Sequence, residues 1–296
     1  MSDGDDPQGL AAWDCDLTIP APEYSRMLAH PNLGAASVAL AHSNLTATIE
    51  NPSLQGVFKD AGRYFVAMIA IYLHATGGLS LPRLKEMCAQ STLLSPGRAR
   101  ALLLYMRYLG YVKPSAAKAP GAPTLYLPTP AFQAAWTTHM RHALMATSLI
   151  EPEARAVVEA LDDEAVFNCI VACQAESLFN ATQTSNLDTP YFRVFLNRHA
   201  GVLIMSAILT SNRDGEFPPR SVDGLSVAAT ARRFEVSRAH VRRLMIHAER
   251  EGLLRIDGKT VHITAVLRDE LLMTYAQQLR HLMLSVSRAA RFVRAA

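Results

Sequence analysis

The chain lacks most of the patterns on which enzymes and secreted domains depend. Its four cysteines, Cys15, Cys88, Cys169 and Cys173, show no CxxC spacing, which argues against a zinc cluster or a disulfide framework and for reduced thiols. GxGxxG, phosphate-loop, HExxH and serine-elbow patterns are absent, so no reaction, cofactor or metal is indicated. The first sixteen residues carry Asp3, Asp5, Asp6, Asp14 and Asp16 and no basic residue. A signal peptide needs a basic start and an apolar centre, so residues 1–22 read as a mobile acidic tail. The longest uncharged stretch, Tyr64 to Pro82, is interrupted by His74, Gly77-Gly78 and Ser80. Only Tyr64 to Leu73 is solidly apolar, too short to span a bilayer, and a buried helix followed by a turn is expected. Together these absences predict a cytoplasmic protein with no membrane partner and no enzymatic activity.

What is present is a repeat. "LSPGRARALLLYMRYLGYV" (Leu94 to Val112) and "VSRAHVRRLMIHAEREGLL" (Val236 to Leu254) align without a gap at a shift of about 142 residues, keeping Ser95/Ser237, Arg100/Arg242, Leu102/Leu244 and Gly110/Gly252. Each copy is preceded by Leu-Ser and a helical stretch, from Leu79 and from Leu225. Each is followed by a short alternating strand, "LYLP" or "VHIT", and another helix. Further upstream, Asn51-Pro52 and Thr189-Pro190 each offer a cap and a first-turn proline. With 296 residues, half of them hydrophobic, two domains are expected. The boundaries read as residues 23–150, a linker helix over 151–189 with Pro152 at its start, and 190–296 ending in a long amphipathic helix. Formal net charge is only +3, but the acidic leader masks a more basic folded part.

The second copy carries the sharper chemistry. Ser226 to Arg233 reads as one helix, Phe234 to Val236 as a turn, and Ser237 as the cap of the next helix. At 3.6 residues per turn, Val241, Leu244 and Ala248 share an inward face. Ala239, Arg242, Arg243, Ile246 and Arg250 then point outward, flanked by Arg232, Arg233 and Arg238. A helix of this kind fits the major groove, where guanidinium forks bond guanine edges or phosphates. "LLRI" and "VHIT" are strands joined at Asp257-Gly258, a type I′ signal, with Arg255 and Lys259 beside the tip. Basic hairpin and basic helix together describe a DNA-binding winged helix.

In the first copy the corresponding outward face is Gly97, Arg100, Ala101, Leu104 and Tyr108, mostly apolar, with Arg98, Arg107, Arg83 and Lys85 around it. Its wing, Lys113 to Pro123, is longer and carries Lys113 and Lys118. Weaker or differently specified binding is expected there.

This layout resembles the MarR type of winged-helix transcriptional regulator, with Ser237, Val241, Arg243, Leu244 and Gly252 in the places of that family's recognition-helix pattern. The resemblance covers about two-thirds of the chain. It implies double-stranded DNA as partner, and a mainly α fold with small β-hairpin wings. It further implies tandem winged helix-turn-helix domains related by pseudo-two-fold symmetry and packed through long helices. Both halves lie in one chain, so the expected assembly is a monomeric pseudo-dimer or a further homodimer. The resemblance also implies a small-molecule effector near Tyr64, His74, Tyr105 or Trp136.

Two other readings stand beside this one. Plasmid-type replication initiators also join two winged helices, and tandem winged-helix modules similar to segregation and condensation protein B hold partner proteins. The apolar face of the first copy favours the latter, and the arginines of the second oppose it. His139 and His142 form an HxxH pair without a third ligand in view and read as solvated or edge-packed. Cys169 and Cys173, one turn apart, read as small buried hydrophobes, and Asp162-Asp163 as part of a surface helix.

Overall fold

Short polar side chains that accept backbone N–H groups set the helix starts in this chain, which is mainly helical with two small antiparallel sheets. The computed structural model describes residues 21–51, 56–91, 93–117, 120–184, 188–211 and 216–295. Helices α1 (Ala21–Leu28), α2 (Leu33–Glu50) and α3 (Ala61–Ala75) come first. They lead into β1 (Leu79–Ser80), α4 (Leu81–Gln90), α5 (Pro96–Tyr108), β2 (Val112–Pro114), β3 (Leu125–Pro128) and α6 (Pro130–Thr147). Next are α7 (Ala154–Glu159), α8 (Glu164–Thr184), a π-helical turn at Phe192–Leu196 and α9 (Gly201–Thr210). The chain closes with β4 (Ser221–Asp223), α10 (Val227–Arg233), α11 (Arg238–Arg250), β5 (Leu254–Asp257), β6 (Thr260–Ile263) and α12 (Ala265–Ala295).

Strand, helix, helix, strand, strand, helix thus occurs twice, and the last strand is central in both sheets, β1-β3-β2 and β4-β6-β5. Local chemistry is duplicated too. Ser80, Ser95, Ser226 and Ser237 cap α4, α5, α10 and α11. Gly110 and Gly252 follow the two longer helices at φ of 73° and 71°, the left-handed region open to glycine. Thr129 and Thr264 each donate to the carbonyl of that glycine at 2.8 Å and cap the next helix. Each threonine therefore clasps hairpin end to helix end.

The buried side chains of 23–150 and 190–296 join in one contiguous cluster. Helix α12 packs on α8, α7, α6 and α2, and α2 packs on α6 and α9. The inner stripe of α12, Leu271, Tyr275, Leu279 and Leu282, is buried, as its spacing predicts. No helix among the described residues is long and apolar enough to cross a membrane.

Several local expectations are corrected. Asn51 closes α2 and α3 starts at Ala61; the helix start expected at Pro52 lies outside the described residues. Asp60 is the effective cap. Its buried carboxylate accepts the Arg63 N–H at 2.9 Å and pairs with the Arg63 and Arg98 guanidiniums at 3.1 and 3.2 Å. The linker helix expected over 151–189 is two helices, α7 and α8. Asp163 accepts the N–H groups of Ala165 and Val166, and Asp162 pairs with Arg141 at 2.9 Å. The acidic pair therefore interrupts the helix by competing for its backbone. In the β5–β6 hairpin Asp257 pairs with Thr260, so the loop is Gly258-Lys259. Only Gly258 of these two has positive φ, at 59°, which fits a type II′ turn and not the type I′ expected at Asp257-Gly258.

Asp60→Ala removes a cap and strands the half-buried Arg63 at once. A loss of about 2–3 kcal/mol is expected in urea unfolding, with Asp60→Asn intermediate because it still caps. Equal stability of Asp60→Ala and wild type counts against this account.

Of the two settings expected for His139, solvated or edge-packed, the second holds: it is 3 % exposed and meets aromatic rings edge-on. Its ring lies 4.6 Å from Phe58, 5.6 Å from Trp136 and 5.7 Å from Tyr64. Burial holds its pKa down to about 3, and that of His281 down to about 4. As pH falls below about 6.5, the unfolded chain takes up a proton at each imidazole while the folded one does not. Stability is therefore complete above that pH and declines toward the folded pKa values. Each imidazole accounts for a loss of about 2 kcal/mol between pH 7 and pH 5. Urea midpoints at the two pH values test this: His139→Gln removes that residue's share of the pH dependence, and an unaltered dependence would contradict it.

Candidate nucleic-acid interface

Helix α11 stands on a three-residue turn after α10. Phe234 is buried, Glu235 takes φ of 53°, and the Val236 N–H returns to Ala231 O at 3.0 Å. Ser237 Oγ accepts the His240 N–H at 3.0 Å. Val241, Leu244, Met245 and Ala248 are buried, which leaves Ala239, Arg242, Arg243, Ile246 and Arg250 exposed. Arg232, Arg233 and Arg238 are exposed beside them. Arg232, Arg238, Arg242 and Arg243 form no ion pair with an acid among the described residues. Arg233 lies over the Phe234 ring at 5.4 Å. Arg255 and Lys259 are exposed on the hairpin, and Lys259 and Arg242 flank one shallow cleft of about 200 Å³ between hairpin and helix.

Long-range contacts anchor both ends of α11, and periodicity carries no sign of them. His240 Nε2 donates to the His199 carbonyl at 2.7 Å, which requires the proton on that nitrogen. Lys59 pairs with Glu235 at 3.8 Å. At the far end Arg193 bonds Glu251 at 2.8 Å and holds its carboxyl below the usual range. The rod is thus fixed against residues 59, 193 and 199 of the rest of the molecule.

Helix α5 presents a different surface. Ser95 Oγ accepts the Arg98 N–H at 3.3 Å, and Ala99, Leu103 and Met106 are buried. Gly97, Arg100, Ala101, Leu104 and Tyr108 face outward, with Tyr108 85 % exposed. The surrounding cations are mostly engaged. Arg98 pairs with Asp60, Arg83 donates to the Gly78 and Thr76 carbonyls, and Arg107 lies over the Tyr126 ring at 5.8 Å. Arg100 and Lys113 are exposed; Lys118 lies outside the described residues.

The four residues expected around an effector do not form one site. Tyr64 lines a cavity of about 750 Å³ that His74, Tyr105 and Trp136 do not reach. Trp136 is 1 % exposed and stands behind Tyr64, ring centroids 5.4 Å apart. Tyr105 is half-buried under the Arg63 guanidinium, and His74 is half-buried in the last turn of α3. The cavity wall instead includes Phe58, His139, Gln174, Tyr191 and His281. These come from separate elements, and only the HxxH pair hinted at one of them. No family model matches the chain, and neither a curated protein nor a solved structure does.

Proposed function

We propose that the chain is a sequence-specific DNA-binding transcriptional regulator, a repressor, built from two winged helix-turn-helix units on one polypeptide. In this reading β1 to β3 and β4 to β6 belong to the two wings, and α5 and α11 are the recognition helices. The observation that carries it is the exposed arginine face of α11, whose guanidiniums form no ion pair with an acid among the described residues. Lysines and arginines supply affinity by displacing condensed counterions, and Arg242, Arg243 and Arg238 read base edges in the major groove. Repression follows from occlusion of a promoter.

The unit around α5 supports a second reading as a protein-holding surface, because Leu104 and Tyr108 are 46 % and 85 % exposed where a DNA reader would carry charge. A gel shift on genomic fragments across a salt series separates the two readings. A competed sequence preference with steep loss of affinity at rising salt supports the regulator. No shift even at low salt rejects it and favours the protein-holding module.

A further inference from the structure

The 750 Å³ cavity lies between α2, α3, α6, α8 and α12, a volume typical of small-molecule sites. Its wall is mainly apolar, with Leu40, Met68, Met140 and Leu178, and four aromatic rings enter it, those of Phe58, Tyr64, Tyr191 and Phe192. Asn44, Gln174, Gln277 and Gln278 place amides on the wall beside the imidazoles of His139 and His281. Tyr64 Oη lies 3.2 Å from His139 Nε2, while His139 Nδ1 and His281 Nε2 are buried without a protein partner. Burial holds both rings neutral at ordinary pH, so neither adds positive charge to the wall.

The charge of the wall has one sign. Asp60, Asp269 and Glu270 line it, and no lysine or arginine does so among the described residues. Asp60 is already matched by two guanidiniums, and Glu270 accepts the Tyr191 N–H at 2.9 Å. Asp269 is exposed at the rim. A carboxylate entering this space would lose its water and meet no cation, a cost that burial of an unpaired ion always carries. A cation meets aromatic faces and a rim acid instead.

We propose that this cavity binds a flat aromatic molecule that is positively charged or neutral, and that it rejects aromatic carboxylates. The placement holds whether or not the chain binds DNA. The wall residues Phe58 and Asp60 flank Lys59, which pairs with Glu235 ahead of α11, and Asp60 holds Arg98 at the start of α5. If the DNA-binding reading also holds, an occupant touches a segment that reaches the start of α5 and the turn ahead of α11.

Calorimetry on the full chain without DNA tests the proposal with three probes of one ring system: 1-naphthylmethylamine, protonated at pH 7, 1-naphthalenemethanol and 1-naphthoate. The amine and the alcohol are expected to bind with Kd on the order of 10–100 µM, and the carboxylate at least about tenfold more weakly. Ala181→Trp on α8 fills the cavity and is expected to abolish binding while helical circular dichroism stays intact. Should that variant unfold, Gln277→Trp on α12 provides the same block. Three results would overturn the proposal: carboxylate binding as tight as amine binding, no binding of any probe at millimolar concentration, or a folded filling variant that binds as wild type does.

Discussion

Replacing Arg242 and Arg243 together by alanine is expected to weaken binding of the proposed regulator to its preferred duplex by about 2–4 kcal/mol, roughly 30- to 1,000-fold. The Arg98→Ala, Arg100→Ala double variant is expected to lose less than about tenfold. The difference rests on what each guanidinium already does. Arg242 and Arg243 are exposed and lack an acidic partner among the described residues, so in the proposed reading their bonding capacity is open to a duplex. Arg98 is bound to the buried Asp60 carboxylate, and diverting it to a phosphate would break a pair within the protein. Because both α11 side chains project away from the core, circular dichroism of the double variant should match wild type, and fluorescence anisotropy then reports binding alone.

Lysine at the same two positions separates the two roles of the arginines. It keeps charge but loses the planar fork, so affinity for random duplex should persist while sequence preference falls. A larger loss from the Arg98, Arg100 pair than from the α11 pair would reverse the assignment of the main reader.

The parts of this structure that were legible in the sequence are those decided within one or two helical turns. Serine leading an apolar-periodic run predicts the helix starts at Ser95 and Ser237. Glycine after it predicts the stops at Gly110 and Gly252, and the 3.6-residue period assigns Val241, Leu244 and Ala248 inward and the arginines outward. Features decided by distant chain segments were not legible. The role of Asp60 depends on Arg98, from α5, whose guanidinium reaches its carboxylate beside that of Arg63. His139 looks half-solvated on its own helix, and only the arrival of Phe58 and Tyr64 encloses it. The cavity is the extreme case, since its wall is drawn from six helices and the segments at 58–60 and 189–196.

The last of these long-range constraints sits at the start of α9, where Gly201→Ala is expected to cost about 3 kcal/mol or more. A Cβ on Gly201 would lie 2.1 Å from the Phe195 carbonyl oxygen, 2.8 Å from its carbon and 2.9 Å from the Phe195 Cα. All three are backbone atoms of the π-helical turn, so no side chain can swing aside to make room. The turn cannot retreat freely either. The Ala200 N–H bonds Lys59 O at 2.6 Å, the Gly201 N–H bonds Arg198 O at 2.9 Å, and the His199 carbonyl receives His240. Ala200 itself is already held at φ of 58°, a conformation alanine adopts only under constraint. A fall in Tm of about 5 °C is expected for a chain of this size. Gly97→Ala supplies the control, because the Cβ there meets nothing closer than Ser95 Oγ at 4.0 Å. In the first turn of α5 the same chemical change should raise stability by about 0.5–1 kcal/mol through helix propensity alone. Opposite signs for one substitution at two helix starts would locate the cost in the Phe195 contact. If both variants instead melt like wild type, the close approach of α9 to Phe195 does not exist in solution.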